Sequence, residues 1–224
     1  MPTKTFRVNA LANDYNVERT PAGGGAATFN TDFVNVPVGN NQVSGAPAYS
    51  VEDSGLRFVS VDIPQGAVVT AAFIRFIVET GNSVLTVNVT ISANDADNPA
   101  APTTVATYDA LVITTATVAW SPAAENTIEA VVDTPSLVTV IQEILDRPGW
   151  ASGNALQVLF KDNGSSNGAA REYYSYDNTP SKAPLLSVTY AEQGGLWIEG
   201  ADLHHTDASN NERLAQHEGK QREF

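Results

Sequence analysis

The stretch VVTAAFIRFIVE (68–79) decides the fold class. Read every second residue, it lines up Val68, Thr70, Ala72, Ile74, Phe76 and Val78 on one side, with Arg75 and Glu79 on the other. A period of two is that of an extended strand, whose side chains alternate between faces. An apolar face backed by a polar one belongs to an antiparallel sheet covered on one side only. Working outward, SVLTVNVTIS (83–92) repeats the pattern, with Leu85, Val87, Val89 and Ile91 on one face. GLRFVSV (55–61), ALQVLFK (155–161), REYYSY (171–176) and PLLSVTY (184–190) read as strands as well. Weaker strand signals lie near 5–9, 104–112, 115–120, 127–132 and 195–199. Stretches rich in Gly, Pro, Asn and Asp separate them, among them PVGNNQVSGAP, DIPQGA, NDADNPAAP, DNGSSNGAA and DNTPSKAP. About ten short strands punctuated in this way make a β-sandwich or a barrel.

One segment breaks the period. In DTPSLVTVIQEILDRPGW (133–150), Leu137, Val140, Ile141, Ile144 and Leu145 recur at steps of three and four. That spacing predicts an amphipathic helix of about three turns, capped by Thr134, opened by Pro135 and stopped by Pro148 and Gly149. Its expected role is to close one end of the sandwich. Residues 10–54 carry few strand signals and many Gly, Pro and Asn. They read either as surface loops or as a segment wrapping a neighbouring subunit.

Composition narrows the function. The 224 residues carry 12 Lys and Arg against 25 Asp and Glu, a net charge of −13. Such a surface repels phosphate backbones and anionic lipid, so neither nucleic acid nor membrane is an expected partner. The longest apolar run, 67–78, is interrupted by Thr70 and Arg75 and is too short to span a bilayer. The start, MPTKTFRVNA, lacks the apolar region of a secretory signal, so the expectation is a soluble protein made in the cytoplasm.

Catalysis is not expected. The chain has no cysteine, and its three histidines, His204, His205 and His217, all lie beyond residue 203. No carboxylate pair stands out, and neither a P-loop nor a dinucleotide fingerprint occurs. No cofactor is expected. Ca²⁺ is the one candidate, at Asp95 and Asp97 in NDADNP and at Asp162 in KDNGSSNG. Oxygen donors suit that ion, but counting from Asp95 an EF-hand would need Gly at position six and Glu at position twelve, where Ala100 and Ala106 stand. Asn, Asp and Gly also fill turns for conformational reasons alone. His204, His205 and Asp207 form a weaker metal candidate, because neighbours in a strand point to opposite faces. Trp150, Tyr173, Tyr174 and Tyr176 are the candidate glycan contacts, with a half-core, half-edge strand as the plainer reading.

Two blocks resemble a known family. GLRFVSVDIPQGAVVTAAFIRF (55–76) resembles bacterial jelly-roll domains in which a Leu-Arg-Phe strand precedes an Ile-Pro-x-Gly-Ala turn and a long apolar strand. The block from 118 to 190 looks like the second half of the same DNRLRE-type domains: a helix, RPGW-x-SGNA, a strand, DNGSS, then REYYSYD and KAPLLSVTY. The resemblance covers about two thirds of the chain. It implies a jelly-roll β-sandwich related to carbohydrate-binding modules, as found in bacterial surface proteins, secreted polysaccharide-active proteins and tailed-phage virion proteins. The closing LWIEGADLHHTDASNNERLAQHEG (196–219) is similar to a β segment at the ends of phage virion proteins, with His205 and Thr206 in place of the usual Tyr-Ile.

These readings divide the chain into a jelly-roll sandwich with one short capping helix (1–190) and a hinge with an extended C-terminal tail (191–224). From 207 onward only Ala208, Leu214, Ala215 and Phe224 are apolar, too few to offset the entropy of ordering. The tail is therefore expected to dock on other subunits through Leu196, Trp197, Ile198, Glu199, Leu203, Leu214 and Phe224, with Leu196 to Glu199 adding to a neighbour's sheet edge. The functional expectation is a non-enzymatic tailed-phage virion protein, a homo-oligomeric decoration or appendage subunit on capsid, neck or tail, assembled in the host cytoplasm. The alternatives are a module that binds bacterial surface polysaccharide, including in receptor recognition, and a cell-surface adhesion domain.

Overall fold

A computed structural model describes residues 1–19, 27–42, 49–81, 84–192, 196–199, 202–206 and 212–214, with Gln42, Tyr49 and the last three segments described as backbone. The strands are β1 (Thr3–Arg7), β2 (Asp14–Arg19), β3 (Thr28–Asn30), β4 (Asn35–Gln42), β5 (Tyr49–Val61), β6 (Val68–Ile77), β7 (Val89–Ala93), β8 (Val118–Trp120), β9 (Val131–Asp133), β10 (Asn154–Asp162), β11 (Ala169–Tyr174) and β12 (Leu185–Ala191). Two helices interrupt them, α1 (Val105–Asp109) and α2 (Val138–Leu145). A C-terminal set follows: β13 (Leu196–Glu199), β14 (Asp202–Thr206) and β15 (Glu212–Leu214).

The chain folds as an all-β sandwich. One sheet has the order β1-β12-β6-β9, and the other β11-β4-β5-β10-β7-β8, with β2 added on β5 and β3 on β2. The pairings are nested in sequence. β7 pairs with β8, β6 with β9, β5 with β10 and β1 with β12, all antiparallel, so each pair encloses the one before it. A long hairpin rolled up in this way is a jelly roll, because successive strands then fall alternately in the two sheets. An apolar core fills the space between the sheets. At its centre Phe76 stacks on Tyr173 with ring centroids 4.5 Å apart, and Trp120 and Phe160 pack against both Phe76 and each other at 5.5–6.1 Å. Pairs of this geometry add about 0.5–1.5 kcal/mol each beyond the area they bury.

Strand β6 forms where alternation placed it, but not with one face throughout. Ala72, Ile74, Phe76 and Val78 are buried, whereas Val68 and Thr70 are exposed and Val69 is buried instead. The cause lies in the partner strand. The register with β12 shifts between Thr189, opposite Ala71, and Tyr190, opposite Val69. One residue of bulge at Thr70 exchanges the faces of everything before it. In the 83–92 stretch the ladder begins only at Val89, and Leu85 is half exposed. Residues before Val89 bond to the 163–166 loop instead: the Ser166 amide donates to the Thr86 carbonyl, and the Asn88 amide to the Ser165 hydroxyl.

Three further expectations are corrected. The described residues of 10–54 are not loops alone, since they contain β2, β3, β4 and the start of β5, which widen the second sheet. Residues 104–112 hold helix α1 rather than a strand. Thr104 and Thr107 cap each other's backbone amides there, which outweighs local β propensity, and Tyr108 is buried beside Tyr15, Val17 and Leu159. Helix α2 is two turns long rather than three and has no side-chain cap. Thr134 accepts from the Ile74 amide and so tethers the chain to β6. The helix buries Val140, Ile141, Ile144 and Leu145, and its Gln142 amide bonds both the Val69 amide and the Ala67 carbonyl. It thus extends the hydrogen bonding of β6 beyond the sheet edge.

Candidate functional site

The C-terminal strands form a sheet of their own. Leu196–Glu199 pairs antiparallel with Asp202–Thr206 from Leu196↔His205 to Glu199↔Asp202, and β14 pairs in turn with β15 from His204↔Leu214 to Thr206↔Glu212. Neither sandwich sheet shares a ladder with this three-stranded set among the described residues. One edge of β13 is therefore taken by its own chain. Its other edge has no ladder partner among the described residues. Phe224 and Asp207 lie outside the described residues.

Of the four rings named as glycan contacts, two are core. Tyr173 is 1% exposed and stacked on Phe76; Trp150 is 3% exposed and donates its indole N–H to the Ile63 carbonyl at 3.0 Å. Neither presents a face to a sugar. Tyr174 and Tyr176 are half-buried. Tyr174 is already engaged: Lys182 sits over its ring at 4.4 Å and its hydroxyl bonds Glu129 at 3.1 Å. Tyr176 packs against the edge of the core.

The proposed Ca²⁺ donors are used otherwise. Arg147, at the end of α2, reaches between Asp95 and Asp97, with its Nε 2.7 Å from Asp97 and one terminal nitrogen on Asp95. A guanidinium thus stands where the cation was expected. Gly149 leaves room for the Asp97 carboxylate, which a Cβ there would displace. Asp162 accepts from the amides of Gly164 and Ser165, both at 3.2 Å, and so shapes its own turn. It pairs with Val89 at the start of β7, whereas Asp95 follows the end of that strand. Five or six residues of extended chain separate the two by roughly 20 Å. Among the described residues no group of three or more His, Cys, Asp or Glu converges on one point. Beside Arg147 lies a groove of about 600 Å³ lined by Thr115, Thr139, Gln142, Glu143 and Asp146, without an aromatic ring.

Sequence reading missed a second acidic site, at the start of β2 and β4 and in the turn after β11. Asp14 is 4% exposed; its Oδ2 accepts from the Tyr176 amide at 2.6 Å, and its Oδ1 has no hydrogen-bond partner. Neither Asn35 Oδ1 nor either oxygen of Asp177 has one. Burial, reinforced by the Asp177 charge and opposed by the Tyr176 amide, pushes the Asp14 carboxyl up to about 7. Asp177 is raised by burial and by the Asp32 charge. A third acid, Glu52, is buried on β5. Desolvation, with the Glu18, Glu172 and Asp53 charges, raises it to about 8 despite a hydrogen bond from Asn16 at 2.6 Å. The only signal in sequence was the density of Asp and Asn at 13–16, 30–35 and 177–178, which turns also produce.

No protein-family model matches this chain, and no curated protein matches it. The likeness to DNRLRE-type domains therefore rests on the residues quoted for it.

Proposed function

We propose that the chain is a non-enzymatic structural subunit of a tailed-phage virion, docked on its neighbours through the C-terminal strands. The observation that carries this reading is the separate β13–β14–β15 ladder. A sheet of three short strands stands alone only with a sufficient hydrophobic face or a packing partner. The apolar residues of these strands, Leu196, Trp197, Ile198, Leu203 and Leu214, are few. A partner surface is the natural cover, and the outer edge of β13 is the natural place for a partner's strand to add. The likeness of 196–219 to virion C-terminal segments supports the same reading. A sandwich whose pairing closes through β1 and β12 without this sheet suits a particle subunit that carries its attachment device at one end. The net charge of −13 suits a repetitive soluble shell.

Truncation after Gly194 tests this. The shortened chain is expected to remain folded, with its melting temperature changed by no more than about 2 °C, while oligomerisation or incorporation into particles falls at least tenfold. A truncated chain that assembles normally refutes docking through these strands. One that unfolds shows that they belong to the sandwich.

A further inference from the structure

We propose that Asp14, Asn35 and Asp177 hold a hard divalent cation, Ca²⁺ by donor type and by the space available. The inference is independent of the virion reading.

Four oxygens carry it: Asp14 Oδ1, Asn35 Oδ1 and both carboxylate oxygens of Asp177, each buried and each without a donor among the described residues. A buried acceptor without a partner costs about 1–3 kcal/mol, and native structures leave few. Two of them, on Asp14 and Asn35, belong to residues that line one small cavity of about 10 Å³, together with Phe33 and Ser175. Asp177 acts on Asp14 through its charge, and the Asp14 carboxylate accepts from the amide of the preceding residue, Tyr176. The surrounding donors are committed elsewhere. The Ser175 hydroxyl donates to the Phe33 carbonyl at 2.6 Å, and the Asn178 side-chain amide to Glu79 at 3.4 Å. The charges that act on these two acids are acidic: Asp177 on Asp14, and Asp32 on Asp177.

One water molecule donates two hydrogens and cannot satisfy four acceptors. A metal ion can, because every ligand it takes is an acceptor. Two carboxylates and an amide oxygen form an all-oxygen set, which selects hard cations. Mg²⁺ keeps several waters in a near-octahedral shell, whereas a cavity of about 10 Å³ takes roughly one water-sized sphere. Ca²⁺ accepts irregular and bidentate carboxylate ligation. The ion would tie together the starts of β2 and β4 and the turn after β11, three segments far apart in sequence.

The test is calorimetric titration of CaCl₂ into the chelator-treated full chain near pH 8, with thermal unfolding in parallel. One site is expected. At about a hundredfold excess over the dissociation constant, the melting temperature should rise by about 5–10 °C. Asp177→Asn, an isosteric change at a half-buried position, should abolish both signals, and Asn35→Ala should weaken binding at least tenfold. Asp95→Asn should leave binding unchanged. No heat and a shift below about 1 °C at roughly 10 mM CaCl₂ would overturn the proposal. So would wild-type binding in Asp177→Asn, and an equal response to MgCl₂ would overturn the assignment to calcium.

Discussion

The pair Asp95 and Asp97 and the pair Asp14 and Asp177 are chemically alike and solved in opposite ways. The first pair is two residues apart in a turn, conspicuous in sequence, and closed by Arg147 from the end of α2. The second comes from β2 and from a turn 163 residues later, is inconspicuous in sequence, and is acted on by further acids, Asp177 on Asp14 and Asp32 on Asp177. A density of acids in one turn therefore says little about cation binding. What matters is whether the fold also delivers a positive charge, and that is decided by which distant element packs alongside.

The largest effect that would sharpen this contrast is in pH. In chelator, Asp14 and Glu52 hold protons in the folded protein up to about 7 and about 8, while unfolded carboxyls release them near ~4. Their stabilising contribution is thus complete below the unfolded values and is lost as pH rises through the folded ones. Urea midpoints should fall between pH 4 and pH 8 by the equivalent of a few kcal/mol on an order-of-magnitude scale. Asp14→Asn should flatten the part up to about pH 7, and Glu52→Gln the part up to about pH 8. A level wild-type profile would break the comparison.

Next in size, Arg147→Ala leaves Asp95 and Asp97 facing each other without a cation. Their side chains are 32% and 39% exposed, so water screens much of the repulsion. The expected loss is about 1–2 kcal/mol at neutral pH, partly recovered by adding Asp97→Asn. No recovery in the double variant would mean that Arg147 acts by packing and not by charge. The smallest effect belongs to Asp162→Asn. The amide oxygen can still accept from one of the Gly164 and Ser165 amides, so stability should change by less than ~1 kcal/mol. A larger loss would give this turn an electrostatic role that the structure does not assign to it.

Much of the sandwich was legible because alternation is a local property. β5, β10 and β12 fall on the segments read as strands, and the apolar spacing of 137–145 marks the buried face of α2. The readings failed where a partner held the deciding vote. The bulge at Thr70 is invisible in 68–79, because it exists only opposite Thr189 and Tyr190. β2 and β4 carry Asp, Asn, Gly and Pro that read as loop, yet β5 supplies a ladder for both. Tyr173 and Trp150 resemble exposed platforms in one dimension and prove to be core in three.

By itself, then, the sequence determined the β class and the capping helix, since each follows from the period of apolar residues along a few neighbouring positions, while the rolled succession of strands was implied only by the family resemblance. Only the tertiary structure decided which acids are neutralised. Coulomb energy and desolvation depend on distances through space, and the residues that act on Asp14 stand at 176 and 177.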